Sequence, residues 1–487
     1  MTERIVVVGA GIAGLGVAMA LAREEREIVL VDRDPPPPPN VETAFDTWER
    51  KGVTQLRHSH VFLGRLVALI HTRHPHLHRM LETAGARELG CEAGLPSPLR
   101  GKYKPAPTDA DLTFLFSRRT TLEHVMRAYV ETLPGVRFLT GAVVPALTLR
   151  DNEVTGVVVE REVLLPQTLD ADVVVDASGR NSVLTDWLRA HGIAIEEETN
   201  PAGILYYTRH YRLRDGQDEP PRDLTPGAGD LGYVKYGVFA ADNRHFSITL
   251  AVPEIEHALR MAIVKPEVFD AICSRIPGCA RWTDPVRAEP VTKVFGMGNL
   301  HNVWRHFVKA GEPVVLNFFA VGDSASRTNP LYGRGCSSAV MHAHILSDVF
   351  DTTADPRERA LAFAKRTKGE LRPFWNAISK QDAGAIRRAR HEQDPGYKPR
   401  WKARLIKSFA EDAVGPASRG DLKVFRAIMK GFHMLEAPTS WLADPEVVAR
   451  VLWMWAKPKS AKRYLYPPKL GPERNDMLKQ IGLSAAA

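Results

Sequence analysis

The sequence predicts an α/β protein: a parallel sheet begun at the N-terminus, a separate antiparallel sheet, and a helical C-terminal third. Three observations carry this. First, Ile5 to Val8 is a β-rich run followed by Gly9-Ala10-Gly11-Ile12-Ala13-Gly14, an alanine-rich helical stretch from Leu15 to Arg23, and a second buried strand from Ile28 to Val31 that ends in Asp32. That order is βαβ, the unit that builds a parallel sheet. Second, Ile204 to Tyr211, Tyr233 to Phe239 and His245 to Val252 read as strands, with Asp242-Asn243 supplying a turn, so they predict an antiparallel sheet of their own. Third, beyond residue 350 nearly every segment has helical character.

A chain of 487 residues is long enough for two or three domains. Its 44% hydrophobic and 25% charged residues match soluble globular proteins and argue against a disordered or fibrous chain. Cys91, Cys273, Cys279 and Cys336 lack C-x-x-C spacing, which gives no support to a zinc finger or a disulfide framework and fits a reducing cytoplasm. The N-terminal apolar run meets glycines and charge too early for a signal peptide or a spanning helix, so export is not expected. Net charge is +8, and residues 351–487 hold 27 Lys+Arg against 15 Asp+Glu. Such a basic region interleaved with tryptophan either is a solvated helical face, the commoner case, or meets an anionic membrane; nucleic-acid binding is not expected.

The remaining elements follow in order. Pro35 to Pro39 can join neither a helix nor a central strand and predicts a stiff extended loop. Val61, Leu66, Leu69, Ile70, Leu77, Met80 and Leu81 predict helix interrupted at Pro75, and residues 91–112 read as loop-rich. Leu112 to Phe116 predicts a strand and Thr121 to Leu133 a helix. Gly135 to Leu149 predicts two short strands leading into a hairpin at Asp151-Asn152, and Ala171 to Val175 another buried strand. Asn317 to Val321 predicts a strand ending in Gly322-Asp323, with a long helix from about Gly335. Asp444-Pro445-Glu446 has the marks of a helix start: a capping acid, a proline in the first turn and an acid facing the dipole.

The glycines have separate reasons. Gly9 allows a tight turn, Gly11 lets backbone approach a pyrophosphate, and Gly14 packs helix on strand, while the helix start offers free N–H groups to phosphates. Asp32 stands where an acid accepts hydrogen bonds from a ribose. The motif alone is weak, but framed by strand, helix, strand and acid it points to a dinucleotide; it does not separate NAD from FAD.

Further motifs make that separation by resemblance. Phe319-Ala320-Val321-Gly322-Asp323-Ser324-Ala325 with Asn329-Pro330-Leu331-Tyr332-Gly333-Arg334-Gly335 resembles the second FAD motif of the superfamily typified by p-hydroxybenzoate hydroxylase. Asp176-Ala177-Ser178-Gly179-Arg180 is similar to its middle motif, although the commoner form is Asp-Gly, and Arg119-Thr120-Thr121-Leu122-Glu123 resembles its Arg-x-x-Leu-Glu element. Gly52-Val53-Thr54-Gln55-Leu56-Arg57-His58-Ser59-His60 resembles a segment of bacterial flavin epoxidases and hydroxylases. The resemblance covers roughly residues 1–350. It implies a discontinuous Rossmann-type FAD-binding domain over 1–190 and 300–350, an inserted antiparallel-sheet substrate domain over 191–299 and a helical region over 351–487. The FAD-binding residues it implies, together with the glycine motif, are Gly9, Gly11, Ile12, Ala13, Gly14, Asp32, Arg33, Arg57, Arg119, Val144, Asp176, Gly179, Gly322, Asp323, Pro330, Gly333, Gly335 and Cys336. Arg334 and Cys336 stand where the family usually has Gln and Met; Cys336 reads as a small buried residue rather than a reactive thiol.

The activity implied is that of a monooxygenase, an epoxidase or hydroxylase working through a flavin C4a-hydroperoxide on a hydrophobic small molecule and O2. Electrons would come from NAD(P)H or a separate flavin reductase. No single side chain need be catalytic. Tyr206, Tyr207, Tyr233, Tyr236 and Phe239 are the candidate substrate wall, of which strand alternation lets only about half point inward. Two rivals stand: a flavin-dependent reductase of isoprenoid double bonds, and a non-redox flavoprotein docked at a membrane by Trp441, Trp453, Trp455 and the lysines after them. A halogenase is less expected, since Trp453-Met454-Trp455 lacks an Ile-Pro continuation. No metal site is expected from His71, His74, His76 and His78, because Pro75 breaks their helical facing and the sequence pairs no carboxylate or cysteine set with them.

Overall fold

Valine and isoleucine at each position from Ile5 to Val8 suit a strand covered on both faces. In the computed structural model, which describes residues 2–162, 164–221, 225–394 and 396–483, they form the centre of a five-stranded parallel sheet. Its strands are β1 (Glu3–Val8), β2 (Arg26–Asp32), β3 (Val136–Thr140), β4 (Val173–Asp176) and Phe318–Ala320, in the spatial order Phe318–Ala320, β4, β1, β2, β3. Register is in step along β1 and β2, with Ile5 opposite Ile28 and Val8 opposite Val31, so both strands end at one edge.

One face of this sheet is covered by the helices α1 (Ile12–Leu21), α2 (Gly64–Arg73), α3 (Pro75–Thr83), α4 (Arg119–Val130) and α5 (Gly335–Phe350), whose apolar residues share one core with Ile5, Val7, Ile28 and Leu30. The other face packs on a three-stranded antiparallel layer, Ala142–Arg150, Glu153–Arg161 and Gln167–Asp170, through Val6, Val29, Val157 and Val174. The hairpin within that layer turns at Asp151 and Asn152, both left-handed at φ 49° and 66°, as the dipeptide predicts.

The second large sheet is antiparallel. It consists of Ala228–Asp230, β6 (Lys235–Ala240), β7 (His245–Pro253) and β5 (Ile204–Leu213), with Ala288–Pro290 and Phe295–Met297 both pairing with β5. Two details differ from the sequence reading. The left-handed turn residues are Asn243 and Arg244, not Asp242. Asp242 instead is buried and accepts hydrogen bonds from the Arg118 backbone, the Arg118 guanidinium and Thr121 Oγ1, tying this sheet to the start of α4. Tyr233 precedes its strand, with its hydroxyl donated to the Pro472 carbonyl.

The C-terminal helices include α6 (Arg372–Glu392), α7 (Trp401–Ser408), α8 (Leu422–Phe432) and α9 (Pro445–Ala456). Asp444 caps α9 by accepting from Glu446 N at 2.9 Å and Val447 N at 3.2 Å, as expected. The region is joined to α2 through His433, which is fully buried and whose Nδ1 accepts the Gly64 N–H at 2.9 Å.

That bond requires a neutral ring, and burial pushes the His433 imidazole down to about 4. An unfolded histidine titrates near about 6.5, so the unfolded chain takes up a proton that the fold refuses. This contribution is complete above about pH 6.5 and is lost as pH falls toward about 4. Urea unfolding followed across that window is expected to show stability falling with acidification, with a shallower slope in His433→Asn.

Candidate functional site

The end of β1 sets the geometry. Gly9 turns with φ +102° and donates its N–H to Val31 O at 2.8 Å, which directs the chain straight into α1. A Cβ on Gly14 would lie 1.8 Å from the Gly9 carbonyl oxygen, so only glycine lets the first turn of α1 rest on the strand end. Helix α1 starts at Gly11 with no side-chain cap and no acid in its first turn. Helix α5 starts in the same way behind Arg334. By contrast, Asp421 and Asp444 cap α8 and α9. Both bare helix starts face one cavity of about 810 Å³. Uncapped N–H groups with the positive end of a helix dipole favour an anionic or electron-rich ligand at each.

Of the residues singled out in the sequence, Gly9, Gly11, Ile12, Ala13, Asp32, Arg33, Arg119, Val144 and Gly179 line this cavity. So do Asp323, Pro330, Gly333, Gly335 and Cys336 from the far motif, and Tyr206, Tyr236 and Phe239 from the antiparallel sheet. Gly14 and Gly322 lie behind the lining, the latter where a Cβ would meet Ala13 Cβ at 2.8 Å. Asp176 is fully buried and accepts from Ser178 N, Ser178 Oγ and Ser182 Oγ, so it shapes the loop 177–181 that lines the cavity without lining it itself. Arg57 turns away, donating to the carbonyls of Phe45 and Asp46. Tyr207 points to the opposite side of its strand from Tyr206 and donates to Arg260 O, while Tyr233 packs in the core behind the sheet.

An ionic chain that sequence reasoning missed runs along the cavity wall. Arg50 donates to Asp32 Oδ2 at 2.8 Å, to Asp34 Oδ2 at 3.0 Å and to Glu123 Oε2 at 3.0 Å. The other oxygen of Glu123 accepts from Arg119 Nε at 2.7 Å. Arg119 reaches on to His60 Nε2 at 3.3 Å and Cys336 Sγ at 3.8 Å, beside the start of α5. Burial raises the Asp32 carboxyl against the opposing pull of Arg50, and raises the Cys336 thiol to about 11, which keeps it protonated. Burial, reinforced by Arg119, pushes His60 down to about 3. His60 is therefore neutral, accepting from Arg119 through Nε2 and donating from Nδ1 to His58 O at 2.9 Å. Glu123 sits four residues after Arg119 on a helix, a spacing that predicts the pair; Arg50 has no such local signal.

Beyond this chain the cavity is mostly apolar, walled by Val61, Leu89, Phe114, Phe116, Val238 and Met297. A row of hydroxyls crosses it: Thr208 Oγ1 lies 3.0 Å from His58 Nδ1 and 2.7 Å from Thr249 Oγ1, which donates to Ser59 Oγ at 2.8 Å. The turn Pro330 to Gly333 is held from behind. Tyr206 donates to Asn329 Oδ1, Asn329 Nδ2 donates to Asp382 Oδ1 at 2.8 Å, and Asn302 Nδ2 donates to Asp382 Oδ2 at 2.8 Å. Asp382 belongs to α6, so the helical region supports the site.

Residues 7–82 match the family of NAD(P)-binding Rossmann-like domains. None of the curated proteins matches the chain in sequence. Among solved structures, the flavin-dependent brominase Bmp2 is similar at TM-score 0.58 and 15% identity, over 92% of this chain and 98% of that one. The myxobacterial chondrochloren halogenase CndH, described as a variant of FAD-dependent halogenases, matches at 0.59 and 14%, over 89% of this chain and 97% of that one. OxyS, the anhydrotetracycline hydroxylase from Streptomyces rimosus, matches at 0.58 and 16%, over 89% of this chain and 76% of that one. The chain shares the fold of these three structures. Within this fold the glycine turn, the middle loop and the start of α5 converge on one cavity although they are more than 300 residues apart at the extremes.

Removing Glu123 would leave Arg50 and Arg119 buried beside each other without their shared counter-charge. Glu123 is 0% exposed, so Glu123→Ala is expected to cost about 3–5 kcal/mol, read from chemical denaturation. Glu123→Gln, which keeps the shape and one acceptor, is expected to lose less.

Proposed function

We propose that the chain is a FAD-dependent monooxygenase, an epoxidase or hydroxylase, that acts with O2 on a hydrophobic small molecule. The observation that carries this reading is the single cavity into which two bare helix starts open, with an apolar chamber beyond the second. The residues fit the dinucleotide. A Cβ on Gly11 would meet only Val53 at 3.9 Å and one on Gly335 would meet nothing within 4 Å, so both leave space at the helix starts for a ligand. Gly9, Gly11, Ile12 and Ala13 would hold the pyrophosphate, Asp32 and Arg33 the adenosine ribose, and Val144 the adenine. Gly179 and Asp323 would border the middle of the molecule, and Pro330, Gly333, Gly335, Cys336 and Arg119 the flavin ring.

Bound FAD supplies the activation of oxygen, a redox chemistry that these side chains lack. The protein's own part is to bind, orient and exclude water. The start of α5 and the Arg119 guanidinium put positive potential at one end of the cavity, which favours a ring that takes on negative charge. Neutral His60 and the protonated thiol of Cys336 add no competing charge there. Tyr236, Phe239, Phe114, Phe116 and Met297 give an apolar wall suited to an alkene, polyene or prenyl chain, and the hydroxyls of Ser59, Thr208 and Thr249 can orient a polar end of it.

The test is to reduce purified holoprotein without oxygen, using NAD(P)H or a flavin reductase, then admit isotopically labelled O2 with candidate alkenes. Label in the product is expected. Saturation of the double bond without label would instead favour a reductase, and reoxidation that leaves every substrate unchanged would overturn the reading. Gly11→Val is the binding control: its Cβ would meet only Val53, at 3.9 Å, so the variant should keep its far-UV circular dichroism and lose bound flavin absorbance.

We further propose that the protein meets anionic membrane surfaces through α7 and the end of α9. None of the described helices is long and apolar enough to cross a membrane. Helix α7 has no buried residue; Trp401 is 63% exposed and Ile406 71% exposed. Lys398, Arg400, Lys402, Arg404 and Lys407 accompany them without an acid between, and Trp453 nearby is 67% exposed with Lys457 over its ring. Apolar side chains ringed by cations match an anionic lipid surface. Trp455 does not take part, since it packs on Phe409 and donates to Ser408 Oγ. Flotation with anionic vesicles is expected, reduced in Trp401→Ala with Ile406→Asp; protein left in the soluble fraction would count against it.

A further inference from the structure

The break between α2 and α3 brings together side chains that a continuous helix would separate. His74, at φ −138° and ψ 55°, ends α2, and Pro75 opens α3 in a new direction. The last turn of α2 then presents His71 beside His78 of α3, with ring centroids 4.3 Å apart and planes at 82°. The short strand Arg87–Leu89 places Glu88 between them. Glu88 Oε1 lies 2.7 Å from His71 Nε2 and 3.0 Å from His78 Nε2, and the three ligand atoms all fall within 4.8 Å of one another. The cluster is at the surface, outside the large cavity.

We propose that His71, His78 and Glu88 form a divalent transition-metal site that takes Zn2+, with water in the open position. Two imidazole nitrogens and one carboxylate oxygen are a zinc donor set, and the solvent-facing side leaves room for the fourth ligand. Glu82 supplies the outer partner: its Oε2 is 3.7 Å from His78 Nδ1, the nitrogen turned away from Glu88. Both Nε2 atoms stand at hydrogen-bond distance from the same Glu88 oxygen, so without a metal that oxygen takes both ring N–H groups. A cation between the two Nε2 atoms and Oε1 would take the place of those protons, and an Nδ1–H turned to Glu82 would increase the basicity of the ligating ring. His74 and His76 take no part, being directed toward Tyr129.

The site would act as a clamp. Arg87–Leu89 pairs with Phe114–Phe116, and Leu89, Phe114 and Phe116 line the cavity. Zinc bound at Glu88 would hold α2 and α3 to the strand that forms the chamber edge, next to Leu89.

The experiment is zinc titration by calorimetry of the full chain, without an affinity tag and after treatment with a chelator. One Zn2+ per chain is expected. His71→Ala and Glu88→Gln are each expected to weaken binding by at least about tenfold, and Glu82→Gln by about tenfold, the scale of losing an outer partner. His76→Ala should bind as the parent does. Zinc should also raise the melting temperature of the parent but not of His71→Ala or Glu88→Gln, whose metal-free melting temperatures serve as the check that they fold. Co2+ in place of zinc should give the visible absorption of a four-coordinate site. Absence of saturable zinc binding, or binding unchanged in both His71→Ala and Glu88→Gln, would overturn the assignment.

Discussion

A single buried carboxylate organises much of the cavity wall. Glu123 shares its two oxygens between Arg50 and Arg119, and Arg50 in turn holds the acids at and after the end of β2. Three segments distant in sequence are thus fixed by buried charge: the strand end at Asp32, the loop at Arg50 and the start of α4. Buried ions are costly to desolvate, and they persist only when every charge is paired and hydrogen-bonded. Here the balance comes from alternating acid and guanidinium along the chain, which ends with Arg119 facing Cys336 at the start of α5. Displacing Arg50 would leave three acids without their shared counter-charge, and displacing Glu123 would remove the one acid that Arg50 and Arg119 share.

The second support comes from behind. The turn Pro330 to Gly333 lines the cavity, and its backbone is held by Asn329, Asn302 and Asp382. Burial raises the Asp382 carboxyl, while hydrogen bonds from both asparagines oppose this. Asp382 makes α6 part of the site's frame rather than an appendage. Asp242 does the same for the antiparallel sheet, because its bonds to Arg118 and Thr121 fix the chamber wall to the helix that carries Arg119 and Glu123.

Local patterns were legible where a backbone requirement has a residue signature. The turn at Gly9, the close packing at Gly14, the hairpin at Asp151-Asn152, the break at Pro75 and the cap at Asp444 all follow from such signatures. Side-chain direction was less legible. Tyr206 and Tyr207 are equivalent in composition, and only the register of β5 sends the first to the cavity and the second to Arg260. Arg57, read from its motif as a cofactor contact, satisfies two backbone carbonyls instead, because the loop after Trp48 brings its guanidinium to Phe45 O and Asp46 O. Glu88 carries no mark of partnership in the sequence, yet it closes the gap between two histidines.

What the sequence by itself determined is the βαβ opening, the bare start of its helix and the order of the main strands and helices, because glycine geometry, capping residues and hydrophobic period act over a few neighbouring residues. What only the tertiary structure decided is which distant charges meet. Arg50 finds Glu123 73 residues away, and Asn329 finds Asp382 53 residues away. Those pairings depend on how strands and helices stack, and long-range stacking leaves no signature within the span of a turn.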